Sequence, residues 1–249
     1  MGFLRVLGKF LGSTIFITFL VLAILLTELT SFTSYNNFKS ITSDILKEQV
    51  FSQLGQQQNE LRRLLILQCA QTDKVGIPVM DGQQVVLNCD DVRSAGEDQL
   101  ENLIITALVD SIYYKNFTCS FVECVKSGNP QNLLIVVTNE GNLFYKSSLM
   151  YMWAGSIVGL ALLVVSSETW IGRLKGVGFN LIFTALPFIV LVYIQPLLIS
   201  LLPEGAVSLK VAEDLFTSLK NKFIIVLVIG VILIIAGYGL GFYSRSRKK

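Results

Sequence analysis

Four long stretches of the chain are almost continuously apolar, and segments of ordinary polar content separate them. A bilayer core is about 30 Å thick, so a helix rising 1.5 Å per residue needs about 20 apolar residues to cross it. None of the four stretches contains Asp, Glu, Lys or Arg. The pattern therefore predicts four transmembrane helices, at about residues 10–27, 149–166, 177–202 and 223–242.

The first stretch has a second interpretation, as a cleaved signal peptide. Its apolar run is long for a signal peptide, and residues 27–30 (TELT) lack the small-residue pattern of a cleavage site. We therefore expect the first helix to be retained as a membrane anchor.

The segments outside the spans differ in charge. The three short ones, before span one, between spans two and three and after span four, contain eight basic residues and one acidic residue, Glu168. Residues 31–148 contain nine basic and thirteen acidic residues. Lys and Arg accumulate in the cytoplasmic loops of membrane proteins. This bias predicts a multi-pass protein of the cell membrane with both termini in the cytoplasm and residues 31–148 outside it.

All the cysteines lie in the region predicted to be external: Cys69, Cys89, Cys119 and Cys124. An even number of cysteines in an oxidising compartment is typical of structural disulfides. Four cysteines allow three pairings, and proximity favours Cys69 with Cys89 and Cys119 with Cys124. A zinc site is disfavoured because its usual close Cys spacing and His partners are missing from the sequence.

The external region begins with an apolar repeat of helical spacing, which continues through residues 38–68. We interpret it as a stalk helix continuing from span one, interrupted near residues 55–59 (GQQQN). Asp81-Gly82 favours a two-residue hairpin turn between strands at 77–80 and 83–87. Residues 133–146 are compatible with a second hairpin or with a helix that leads into span two.

The clearest local signal in this region is the spacing of Ser94 and Glu97, which matches a capping box. It predicts a helix whose apolar face we expect to pack on the stalk. That face consists of Leu100, Leu103, Ile104, Ala107, Leu108 and Ile112.

Together these signals predict an all-α four-helix transmembrane bundle with a small disulfide-bonded domain inserted between spans one and two. The domain is α+β, mostly helical and extracytoplasmic. Residues 1–30 form the N-terminal cytoplasmic segment and span one, 31–148 the external domain with its stalk, and 149–249 the other spans and a basic cytoplasmic tail. Asn116-Phe117-Thr118 in the external domain is a candidate glycosylation sequence.

Span three contains Pro187, Gln195 and Pro196. A proline kink beside a buried amide is compatible with a transport path, but it more often shapes a helix bundle. Glycines at four-residue spacing allow close helix packing, either within the bundle, which we favour, or in a homo-oligomer. These pairs are Gly8/Gly12, Gly155/Gly159 and Gly237/Gly241.

Polar residues also mark the external ends of the spans. Glu28 at the end of span one is a candidate ion-pair partner for Lys220 or Lys222 at the start of span four, although solvation by water and headgroups is the simpler expectation. The preceding residues, 203–222, show an apolar stripe that predicts a separate short amphipathic helix on the outer surface.

The chemistry missing from the sequence limits the function. There is no histidine, which excludes His-based triads and His metal sites. Phosphate loops and nucleophile elbows are also missing. We expect no catalytic, cofactor or metal site, and neither an enzyme nor a nucleic-acid-binding protein.

The expected partners are the lipid bilayer and a protein bound by residues 31–148, as in an assembly factor or an envelope scaffold. One alternative is a sensor or accessory subunit of a signalling complex. Another is a transporter or channel component that uses Gln195 in a kinked third span.

Overall fold

The structure is a computed structural model that describes residues 2–47, 57–78, 84–194 and 206–246. The chain divides into two compact units. One, here called the membrane unit, comprises Met1–Thr30 and Tyr145–Lys249, and the other, here called the insert, comprises Ser31–Phe144. The membrane-unit helices are α1 (Gly2–Phe32), α8 (Asn139–Val165), α9 (Trp170–Tyr193) and α10 (Ala206–Ser246). The insert contains α2 (Tyr35–Leu46), α3 (Gln57–Cys69), β1 (Lys74–Pro78), β2 (Gln84–Asn88), α4 (Cys89–Ser94), α5 (Glu97–Tyr113), α6 (Phe121–Lys126), α7 (Pro130–Leu133) and a 3-10 turn (Leu134–Val137).

Among the described residues, four helices are long and apolar enough to cross a bilayer. Their spans are Phe3–Phe32, Asn139–Val165, Trp170–Leu191 and Leu215–Tyr243. The predicted fold class is therefore confirmed: four apolar helices with a small disulfide-bonded insert of helices and a β-hairpin between the first and second.

Two boundaries near the membrane differ from the sequence-based expectation. The third helix begins at Trp170, seven residues before the predicted start of span three at 177. The predicted amphipathic helix over 203–222 is not a separate element, because α10 runs without a break from Ala206 to Ser246. No helix-breaking Gly or Pro separates its polar first third from its apolar remainder.

The membrane unit is held together by an apolar core that draws on several helices. Phe16, Leu20 and Ile24 of α1 pack with Leu181 and Ala185 of α9 and Phe223 of α10. The rings of Phe188 and Phe223 stack with their centroids 4.0 Å apart. Since lipid is as apolar as these side chains, shape complementarity and dispersion, rather than exclusion of water, stabilise such contacts.

The insert has its own core around the antiparallel pair β1–β2. Val75 of β1 lies opposite Leu87 of β2, and Pro78 lies opposite Gln84. Alternate residues of β2 point inward, as a strand with one buried face requires. The predicted turn at Asp81-Gly82 falls in residues 79–83, outside the described residues. The core consists of Leu65, Cys69, Val75, Val85, Leu87, Cys89, Val92, Ala95 and Leu100.

The capping box predicted at Ser94 is wrong. Ser94 is the last residue of α4, and α5 begins at Glu97 with Gly96 as its N-cap. The side chain of Gln99 accepts a hydrogen bond of 3.0 Å from the backbone N–H of Gly96. The predicted helix exists, and it packs against α2 and β2.

The stalk is not a continuation of span one, because α1 ends at Phe32 and a turn at Thr33-Ser34 precedes α2. Tertiary hydrogen bonds hold this turn. The Tyr113 hydroxyl donates to the Thr33 carbonyl over 3.0 Å, and the Asn142 amide donates to the Thr33 hydroxyl over 2.9 Å. Of the two alternatives for residues 133–146, the helical one is correct.

Candidate functional site

A buried acidic group lies near the C-terminal end of α1. The Glu28 side chain is only 5% exposed, and it forms an ion pair with the Lys222 ammonium of α10 through Oε1. The Ser218 hydroxyl, one turn before Lys222, donates a 2.6 Å hydrogen bond to Oε2. Apart from the Lys222 ammonium, Oε1 has no polar partner among the described residues, so the charge of Lys222 is its main compensation. These three residues are here called the acidic cluster.

The sequence suggested Lys220 or Lys222 as the partner of Glu28, and only Lys222 belongs to the acidic cluster. Lys222 contacts Glu28, whereas Lys220 is exposed. Positions 218 and 222 are four apart and share a helix face, and position 220 points elsewhere. Ser218 was missed because a lone serine in a polar segment has no distinguishing signal.

A second polar group links α1 and α9 within the apolar region. The Ser13 hydroxyl donates to the Asn180 side-chain oxygen. The Asn180 amide donates to the Gly176 carbonyl over 2.7 Å, and the Thr184 hydroxyl donates to the Asn180 carbonyl over 2.8 Å. Of these three bonds, only the one between Ser13 and Asn180 joins two helices, and interhelical bonds contribute about 0.6–2 kcal/mol each in membrane proteins. Asn180 was missed, although a side-chain amide within an apolar run is a recognisable signal.

Of the three kink residues predicted in span three, Pro187 lies in the described part of the chain. Pro187 lies inside α9, which continues through it to Tyr193. Proline has no N–H, so Phe183 cannot receive the usual backbone hydrogen bond at this position. Gln195 and Pro196, the candidate transport residues, lie outside the described residues.

Glycines bring α1 and α8 into close contact. A Cβ atom added at Gly159 would lie 2.5 Å from the backbone nitrogen of Phe16, and one at Gly12 would lie 2.7 Å from that of Leu163. A Cβ atom added at Gly155 would likewise overlap the ring of Phe19. Gly155 and Gly159 therefore pack against a helix of the same chain.

A second close approach joins α9 and α10. A Cβ at Gly178 would lie 2.7 Å from the carbonyl oxygen of Gly230, and one at Gly230 would lie 2.9 Å from that of Gly178. This pair was missed because each glycine lacks a glycine partner four residues away. Gly237 and Gly241, which were predicted, lie beside Ile171 of α9.

The four cysteines all lie in described residues and form the two predicted disulfides. Cys69 at the end of α3 pairs with Cys89 at the start of α4, with their Cα atoms 5.2 Å apart. Cys119 pairs with Cys124 of α6. Chain-entropy arguments give stabilisations of about 3 and about 2 kcal/mol for loops of these lengths. The bonds stiffen the insert around its hairpin and before α6.

A tyrosine cluster connects α2 to the end of α5. The Tyr35 hydroxyl donates a 2.6 Å hydrogen bond to Asp110, and its ring packs edge-on against Tyr113 and stacks on Tyr114. The hydrogen bond to the Asp110 carboxylate, assisted by burial, raises the pKa of Tyr35 to about 12. Ionising the phenol would remove that bond and place two negative charges together.

The surface of α3 carries exposed large apolar side chains. Leu64 and Leu67 are 58% and 59% exposed, and they lie three positions apart on one side of the helix. Arg63, four positions before Leu67, is also exposed. The opposite side of α3 contributes Leu65 and Cys69 to the core of the insert. Leu64, Leu67 and Arg63 are here called the α3 patch.

In the part of the chain that the structure describes, no group of three or more His, Cys, Asp or Glu side chains is arranged to hold a metal ion. The features present are a spanning bundle with buried polar contacts and a disulfide-bonded insert with an exposed apolar patch. They define a multi-pass membrane protein. Comparisons with protein-family models, with curated proteins and with solved structures find no match.

Proposed function

We propose that this chain is a non-enzymatic membrane component that binds a partner protein through its insert. The observation on which this rests is the α3 patch. Two leucines more than half exposed on a small, cross-linked domain are candidates for an interface, because covering each would gain on the order of 1 kcal/mol. An assembly factor, an accessory subunit and an envelope scaffold all need such a surface.

A protein is the occupant that the chemistry of the patch favours. Interfaces between proteins combine an apolar centre with arginine, which offers five N–H donors and a weakly hydrated planar cation. Arg63 lies one helical turn before Leu67 and next to Leu64. Its guanidinium would therefore donate hydrogen bonds at the edge of a contact centred on the leucines.

The proposal places the insert outside the cytoplasm and both termini inside. Its support is the Lys/Arg bias of the short segments and the pairing of all four cysteines, since disulfides persist in oxidising compartments.

The proposal of a non-enzymatic role is supported by the sequence, which has no histidine, and by the polar groups in the membrane unit. Glu28 and Asn180 are each bonded to a neighbouring helix, as expected for packing contacts.

The test is site-specific cross-linking in intact cells. A photoreactive amino acid at position 67 of the full-length chain should yield one predominant adduct with another protein, which mass spectrometry would identify. The same protein should co-purify in mild detergent at a stoichiometric ratio. The double substitution Leu64→Ser with Leu67→Ser should reduce its recovery about tenfold or more, since losing two apolar anchors costs more than about 1.4 kcal/mol.

The matched control is Val122→Ser, which removes an exposed apolar side chain from α6 of the same insert. Recovery of the partner should be unchanged in this variant. Adducts with a second copy of the chain or with lipid, or equal losses in both variants, would contradict the proposal.

A further inference from the structure

The chain contains a single Asn-X-Ser/Thr sequence, Asn116-Phe117-Thr118. It lies in the irregular segment that connects α5 to α6, where no helix or strand occupies the backbone. Asn116 and Thr118 are both exposed, whereas Phe117 between them and Lys115 before them are partly buried. The Asn116 amide and the Thr118 hydroxyl, the two groups that define the acceptor sequence, are therefore both accessible.

The segment is anchored at both ends, while its two polar side chains remain accessible. Before it, α5 ends with the backbone N–H of Tyr114 bonded to the Asp110 carbonyl. Within it, the backbone N–H of Phe117 donates to the Glu140 carboxylate over 3.5 Å. After it, Cys119 follows Thr118 directly and is bonded to Cys124 of α6. Contacts of the neighbouring residues thus hold the loop, whereas the Asn116 side chain itself is exposed and open to modification.

We propose that Asn116 is an N-glycosylation site, modified by a transferase that uses a lipid-linked oligosaccharide. The Asn116 amide nitrogen forms a bond to the anomeric carbon of the sugar. The bond from that carbon to the lipid phosphate oxygen breaks, the phosphate leaves with the electron pair, and a base of the transferase takes the amide proton. Thr118 is required because its hydroxyl is the third-residue group of the Asn-X-Ser/Thr acceptor sequence. The inference rests on the proposed extracytoplasmic position of the insert.

The experiment uses the full chain, tagged at its C-terminus and produced in eukaryotic cells that perform this transfer. The protein should migrate as a single retarded band that an amide-cleaving glycosidase shifts down once and completely. After that cleavage, mass spectrometry should find Asp at position 116. Asn116→Gln and Thr118→Ala should migrate at the cleaved position, and Thr118→Ser should keep the retarded band, which separates acceptor chemistry from effects on folding.

A membrane-impermeant amine reagent, applied to the same intact cells, reports the position of the insert independently. Labelling of Lys39, Lys74 and Lys126 but not of Lys175 indicates an external insert. If the insert is external and the wild-type chain carries no glycan, the proposed glycosylation site is wrong and the proposed placement of the insert stands. Labelling of Lys175 alone would overturn both.

Discussion

Glu28 of α1 and Lys222 of α10 form an ion pair in which the carboxylate is almost completely buried and the ammonium is partly exposed. A buried charge that loses its partner is costly, because the low-dielectric surroundings cannot replace that partner with water. The pair, together with the Ser218 hydroxyl, therefore fixes the register of α1 against α10.

Lys222→Met should destabilise the protein by about 1–3 kcal/mol, since it leaves the Glu28 carboxylate buried without a cation. Glu28→Gln with Lys222→Met should recover part of that loss, because the amide is neutral and can still accept from Ser218. Thermal unfolding in detergent micelles measures both. Lys220→Met is the control and should change stability by less than about 0.5 kcal/mol, because Lys220 is exposed. An equal loss in the control would disprove the ion pair.

Gly159→Ala should loosen the contact between α1 and α8. The added methyl would meet the Phe16 backbone, which cannot move without shifting the helix, and we expect a loss of about 1–3 kcal/mol. Gly239→Ala is the matched control, since among the described residues no heavy atom lies within 4 Å of its added Cβ. The same unfolding measurement compares them, and a smaller loss for Gly159→Ala than for Gly239→Ala would contradict the packing described.

Alkylation of the folded protein before reduction should leave all four cysteines unmodified, and alkylation after reduction should modify all four. Intact-mass spectrometry counts the added groups. Replacing Cys69 and Cys89 with Ala should cost about 3 kcal/mol, against about 2 for Cys119 and Cys124, because the first bond closes the longer loop. Four free thiols in protein from its native membrane would be incompatible with an oxidising location.

The contact of Tyr35 with Asp110 makes stability depend on pH in the alkaline range. The folded-state pKa of about 12 exceeds the usual value of 10, so the neutral phenol is favoured on folding. This stabilisation is complete below about pH 10 and is lost as the pH rises toward about 12. Burial also raises the pKa of Tyr113, so tyrosinate absorbance should show more than one late-titrating tyrosine. Tyr35 is the one that disappears in Tyr35→Phe. In Asp110→Asn its pKa should fall toward the usual value, and an unchanged titration would exclude the carboxylate as the cause.

The sequence was sufficient for features that depend on local composition. Hydropathy is a property of contiguous residues, so the four spans followed from apolar run length alone. The two disulfides followed from an even number of cysteines in one region. The α5 helix was likewise predicted from its apolar face, although its start was placed two to three residues early.

The tertiary structure decided which residues meet. Ser218 and Glu28 are separated by 190 positions, and nothing in either neighbourhood singles out the other. The break after Phe32 depends on Tyr113 and Asn142, which bind Thr33 from distant parts of the insert. The pairing of Gly178 with Gly230 likewise needs the crossing of two helices. Local pattern determines what each segment is, whereas partner choice depends on the simultaneous packing of all segments, which no single stretch of sequence encodes.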